Sequence, residues 1–125
     1  MMQLLLVALG GAVGSVGRYL VGVLAVRIAG VTFPWGTLAV NVAGSFAIGI
    51  LTELILRRFS GSPELRLLLI TGFLGGFTTL SSFSLDAMVL FERGAVGLSA
   101  AYVLGTVGLS LAAIYAGFLL GRSFL

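Results

Sequence analysis

Two ladders of uncharged hydrogen-bonding side chains stand in otherwise apolar sequence. Thr37, Asn41 and Ser45 follow one another at four-residue steps, so a helix carries them on one face. Ser99, Tyr102, Thr106 and Ser110, at steps of three, four and four, make the second ladder. Between the two lies TGFLGGFTTLSSFS, from Thr71 to Ser84, with three glycines, three threonines and three serines. A lone hydroxyl in a membrane helix often bonds its own i−4 carbonyl or joins a neighbouring helix, for around 0.6 kcal/mol. Packing alone therefore accounts for any single one of these groups. Asn41 fits that reading less well, because a buried amide needs two or three partners to offset its desolvation. Two aligned ladders favour a polar track.

The glycine pair Gly75-Gly76, followed by Thr78-Thr79, predicts a break in the helix that holds them. Irregular backbone at membrane depth is tolerated where it is buried in protein or lines a cavity. Freed carbonyls suit a small cation there, and freed amides or hydroxyls suit an anion. The alternative is a close helix crossing at the glycines with no break.

The elements that must position these groups follow from composition. Of 125 residues, 59% are hydrophobic and 9% charged, against about half and a quarter in a soluble domain. Four apolar runs, about 2–26, 33–56, 65–91 and 95–121, each reach the roughly 20 residues that cross a bilayer as a helix. The expected fold is an all-α membrane protein with one four-helix transmembrane domain over residues 1–125 and a third helix broken near its centre. The first run lacks the charged n-region and cleavage site of a signal peptide and reads as a true span. Gly10, Gly11, Gly14 and Gly17 in the first span, and Gly108, Ala112 and Ala116 in the fourth, read as close-packing seams.

Cysteine and histidine are absent, which excludes disulfides, Cys/His metal sites and histidine acid–base chemistry. No nucleophile–base pair or metal cluster suggests an enzyme. The net charge of +3 comes with arginines scattered at helix ends in no patch or stripe, which argues against a nucleic-acid partner. Arg57, Arg58, Arg66 and Arg122 fall on one side of the membrane and Arg27 and Arg93 on the other, with Arg18 inside the first span. So slight a bias permits insertion both ways round, and with it an antiparallel dimer. Arg18 and Asp86 lie deeper than the helix ends, where ionisable groups usually face protein or water. Arg18 either snorkels or faces a wet vestibule, and the partner of Asp86 is open. Glu53, Glu64 and Glu92 read as interfacial charges.

GGAVGSVGRY in the first span, PWGTLAVNVAGSF in the second and TGFLGGFTTLSSFSLD in the third resemble the signatures of the small bacterial fluoride channels, the Fluc or CrcB family. The resemblance extends over nearly the whole chain in length, span count and motif order. It implies an antiparallel, dual-topology homodimer in the bacterial cytoplasmic (inner) membrane. Such a dimer exports fluoride passively through two pores, protects against fluoride toxicity and buries one structural sodium ion at its centre. Carried onto this chain, the resemblance implies that the backbone carbonyls of Gly75 and Thr78 hold the sodium. Asn41, Phe83, Tyr102, Thr106 and Ser110 would line the fluoride pore, with Arg18, Thr37, Leu80, Ser81 and Asp86 as further pore or vestibule positions. Leu80 stands where that family usually has phenylalanine; leucine keeps the wall apolar but offers an anion no positive ring edge. Asp86 stands where the family often has glutamate.

Other classes share parts of this pattern. Proton-coupled small multidrug exporters have the same size and span count, but they rely on a glutamate in the first helix, and this first span has no acidic residue. Fluoride/proton exchange would need a deep carboxylate, for which Asp86 is the candidate. A non-transporting scaffold subunit would need only the glycine seams.

Overall fold

The computed structural model describes Met1–Leu125. Its four membrane-length spans are Met2–Ala29, Trp35–Arg58, Pro63–Glu92 and Val96–Phe124, with no strand. At 1.5 Å rise per residue, the 28 residues of the first helix reach about 42 Å, enough to cross the hydrocarbon core and project beyond it. The stops are local. The second helix ends where Ser60 and Gly61 adopt positive φ, which lets the Gly61 N–H donate back to the Ile55 carbonyl at 2.9 Å. Ser62 then caps the next turn by accepting from the Leu65 N–H at 3.3 Å, with Pro63 at the first helical position.

Two backbone seams hold the bundle together. The first span lies against the first half of the third: Gly10 faces the backbone of Leu68 and Phe73, Gly14 faces that of Phe73 and Phe77, and a methyl added to Gly76 would lie 2.6 Å from the Gly11 carbonyl. The second span lies against the fourth, where Gly49 and Gly117 cross so closely that a methyl on either would lie 3.0 Å from the other's Cα. Helices that lack a hydrophobic force between them in lipid gain close van der Waals contact this way.

The first-span seam falls where the sequence predicts it. The fourth-span seam does not: Gly108 has open space around it and Ala112 and Ala116 are exposed, while Gly117 and Gly121 make the contact. The reason is helical phase. Gly117 and Gly121 continue the stripe of Ser99, Tyr102 and Thr106, all buried, so the polar ladder and the packing seam share one face.

The third span departs most from a regular helix. From Arg66 to Leu74 it is wound as a π-helix, with the Gly75 N–H still reaching the Ile70 carbonyl five residues back. It returns to α geometry over Gly75–Phe77, is extended at Thr78 (φ −88°, ψ 159°) and Thr79 (φ −156°, ψ 120°), and resumes as Leu80–Glu92. The predicted break is present, but it sits on the threonines. Gly75 and Gly76 are helical, and Gly76 serves the contact with the first span.

Candidate functional site at the helix break

The break is held by side chains from two other spans. Asn41 forms a pair of hydrogen bonds with one residue: the Thr79 N–H donates to Asn41 Oδ1 at 2.8 Å, and Asn41 Nδ2 donates to the Thr79 carbonyl at 3.0 Å. The amide thus replaces, on an extended residue, both bonds a helix would have supplied. From the first span, Arg18 Nε donates to the Gly76 carbonyl at 3.0 Å, bringing a positive charge to the carbonyl end of the first half-helix, where it is favoured. Arg18 therefore does not merely snorkel; it caps.

Local capping completes the structure. Thr78 Oγ1 donates to the Leu74 carbonyl at 2.8 Å, and Thr79 Oγ1 accepts from the Ser82 N–H at 3.1 Å as the cap of the second half-helix. Ser81 Oγ stands 3.3 Å from Thr79 Oγ1 on the exposed side. Gly44 leaves room on the second span for the Thr78 methyl.

Two carbonyls come out of this arrangement short of donors. In a continuous helix the Thr79 N–H would donate to the Gly75 carbonyl; here it is turned to Asn41. The Thr78 carbonyl accepts no hydrogen bond in the chain. Gly75 is exposed, as is Leu80, at 75%.

A cavity of about 320 Å³ opens beside the break, lined by Asn41, Ser45, Thr78, Thr79, Leu80, Phe83, Thr106 and Ser110, with Ile48, Val107 and Leu111 as its apolar wall. The two ladders meet there. Thr106 Oγ1 and Ser110 Oγ are buried without a partner, and such an orphan costs about 1–3 kcal/mol in a fold that gains nothing from it. An unpartnered hydroxyl beside a cavity is free to donate to whatever enters.

Tyr102, 1% exposed, sits behind this cavity. Its hydroxyl donates to Asp86 Oδ2 at 3.1 Å, which answers the question of that carboxylate's partner. Its ring lies against Phe83 at 5.1 Å and meets Phe33 edge-on at 5.4 Å. Ser99, at the head of the ladder, instead ties the fourth span to the third by donating to the Ala87 carbonyl at 2.8 Å. Asp86 and Thr37 line a second cavity of about 310 Å³ with Phe33, Trp35 and Arg93, at the end where Arg93 Nη2 donates to the Thr32 carbonyl at 2.9 Å. Arg18, Arg27, Thr37, Thr79 and Ser82 line a third, of about 610 Å³, so Arg18 borders a cavity with a second arginine as well as the break.

Of the residues singled out from sequence, Asn41, Thr78, Leu80, Phe83, Thr106 and Ser110 share one cavity. Arg18, Thr37 and Asp86 line the other two cavities, Tyr102 packs on Phe83 from behind, and Ser81 and Gly75 are exposed. Sequence reasoning passed over Thr79, whose backbone Asn41 holds. Its position in the Thr-Thr pair was visible, but hydroxyl spacing says nothing about a peptide group. It also passed over Phe33, which packs on Tyr102 from an inter-helix loop, and read Glu53 as an interfacial charge where the structure buries it.

Fold and site define a class: a small four-span membrane protein whose third helix is broken at membrane depth beside a cavity of neutral donors. The chain belongs to the CrcB family, whose model, described as "CrcB-like protein, Camphor Resistance (CrcB)", matches residues 5–118. It is 63% identical over 123 residues, 98% of each chain, to a protein of Agrobacterium fabrum named "Fluoride-specific ion channel FluC". Proteins of the same name from Rhizobium etli and Chelativorans are 61% identical over 123 residues and 57% over 125, covering 98% and 100% of each chain. The chain is a multi-pass membrane protein.

Proposed function

We propose that the chain is a fluoride-selective passive channel, not an enzyme, that exports cytoplasmic fluoride across the bacterial inner membrane. The observation that carries the reading is the cavity at the break, lined by Thr106 and Ser110, whose hydroxyls have no partner, together with Phe83 and Asn41. The name shared by its relatives supports the choice of ion.

Fluoride is small and holds its water tightly, so a pore must offer several close donors in place of that shell. Neutral hydroxyls, a spare Asn41 N–H and the positive edge of the Phe83 ring give contacts spread along the path, each weak enough to release the ion. Apolar residues such as Leu80, Val107 and Leu111 make the remaining wall and offer a larger anion no donors. Fluoride enters from acid surroundings as neutral HF and ionises in the cytoplasm. An interior-negative potential then drives the anion out at about 2.3 kcal/mol per charge per 100 mV, so no coupling reaction is needed.

The reading includes a second, antiparallel copy and a structural sodium ion. The Gly75 and Thr78 carbonyls fit a small hard cation, because one has lost its helical donor and the other has none. One chain offers two such oxygens, fewer than the six or so that a hard cation takes, and the exposure of Gly75 and Leu80 leaves this face available to a partner. Two copies related by a two-fold axis would pool four carbonyls and carry two pores.

Expression in a bacterium made hypersensitive to fluoride tests the reading. Growth should be restored in millimolar fluoride, with no gain in resistance to quaternary ammonium compounds. The reverse pattern would favour a multidrug exporter.

A further inference from the structure

The buried charge at the opposite end of the second span has no part in the path just described. Glu53 has a side chain 8% exposed, packed on Gly121 so closely that a methyl there would lie 2.7 Å from its Cβ. Arg57 Nε and Arg122 Nε each donate to one of its carboxylate oxygens at 3.0 Å. Both arginines engage through Nε alone, so the terminal nitrogens of both guanidinium groups are unpartnered in the chain, on side chains 42% and 51% exposed. The Arg122 guanidinium also lies 5.4 Å from the centre of the Phe118 ring, which restricts it further. Two arginines thus hold one carboxylate, and exposed Arg58 follows Arg57 directly in the chain.

Next to this cluster an apolar groove of about 290 Å³ runs between the second and fourth spans, walled by Ile50, Leu54, Leu120 and Phe124. Gly121 belongs to both features: it lines the groove and touches Glu53. Leu54 precedes Arg57 by three residues and Arg58 by four, which places groove wall and arginines on one helix face.

We infer that this end of the molecule is a binding site for an anionic glycerophospholipid, with an acyl chain in the groove and the phosphate on the free terminal nitrogens of Arg57 and Arg122. The argument is charge complementarity joined to shape. Oriented guanidinium forks match phosphate oxygens, and basic pockets between membrane helices suit anionic head groups. A zwitterionic lipid carries its own cation beside the phosphate and gains less from the positive excess. Glu53 is the positioning residue: it holds both arginines by Nε and leaves their outer faces for the ligand.

Native mass spectrometry of the purified protein tests this, with dioleoylphosphatidylglycerol and dioleoylphosphatidylcholine offered in equal amounts. The expected result is retention of phosphatidylglycerol over phosphatidylcholine. That preference falls about fivefold in Arg57→Gln and in Arg122→Gln, and retention itself is lost in Leu54→Trp, which fills the groove without touching the ion pairs. Glu53→Gln separates positioning from charge counting. It adds net positive charge, so a simple attraction would strengthen the preference, whereas lost positioning weakens it. Equal retention of both lipids, or unchanged retention in Leu54→Trp, overturns the site. Displacement of bound phosphatidylglycerol by inorganic phosphate would show a free-anion site instead, and a change of oligomeric mass in Leu54→Trp would show that protein, not lipid, covers the groove.

Discussion

Asn41 carries two demands at once, and its substitutions separate them. Both of its amide atoms are committed to Thr79, leaving one N–H and one lone pair for anything in the cavity. Asn41→Asp keeps an acceptor for the Thr79 N–H but sets a negative charge against the Thr79 carbonyl and against an entering anion. Fluoride flux in that variant should be abolished, and normal flux would remove Asn41 from the path. Thr106 has the opposite character. Its hydroxyl is orphaned, so Thr106→Val relieves a buried polar group and should leave the melting temperature equal or higher, while fluoride flux falls. A loss of both together would make the hydroxyl a structural group. Leu80, on the cavity rim and 75% exposed, gives Leu80→Phe a direct readout in the ratio of fluoride to chloride flux, which should rise with the added ring edge.

At the scale of elements, one helix can be broken because its neighbours lie close enough to satisfy the freed groups. Gly76→Ala puts a methyl 2.6 Å from the Gly11 carbonyl and must push the first span away, taking Arg18 from the Gly76 carbonyl. The variant should lose about 1–3 kcal/mol of stability, whereas Gly105→Ala, with open space around it, should change nothing measurable; equal effects would remove the seam as the cause. Sequence showed the spans, the first-span seam and the existence of the break, because these depend on hydropathy, four-residue spacing and local propensity. The break falls near the centre of the third span as read, on Thr78 and Thr79, while Gly76 beside it serves contact with the first span, which no local pattern reports. Sequence could not show the π-helical winding of Arg66–Leu74 or the bonds from Arg18 and Asn41, since these depend on how three spans are phased against one another. Glu53 read as an interfacial charge because its second partner, Arg122, lies 69 residues away in sequence.

For the whole molecule, a passive channel requires a path and no coupled step. The proposed path runs through the cavity at the break, which holds the residues of the orphaned hydroxyls and shares Thr79 with the cavity of Arg18 and Arg27, and a second copy would complete the pores. The purified assembly should accordingly have twice the 12.9 kDa chain mass on native mass spectrometry; a monomer that conducts would contradict the shared-cation reading. The most direct measurement is ion efflux from liposomes holding the purified protein and loaded with potassium fluoride. Valinomycin carries the balancing potassium, and a fluoride electrode is read beside a matched chloride assay. Fast release of fluoride with little chloride, needing no proton gradient, is the predicted result. Absence of fluoride release from folded, reconstituted protein would contradict the channel.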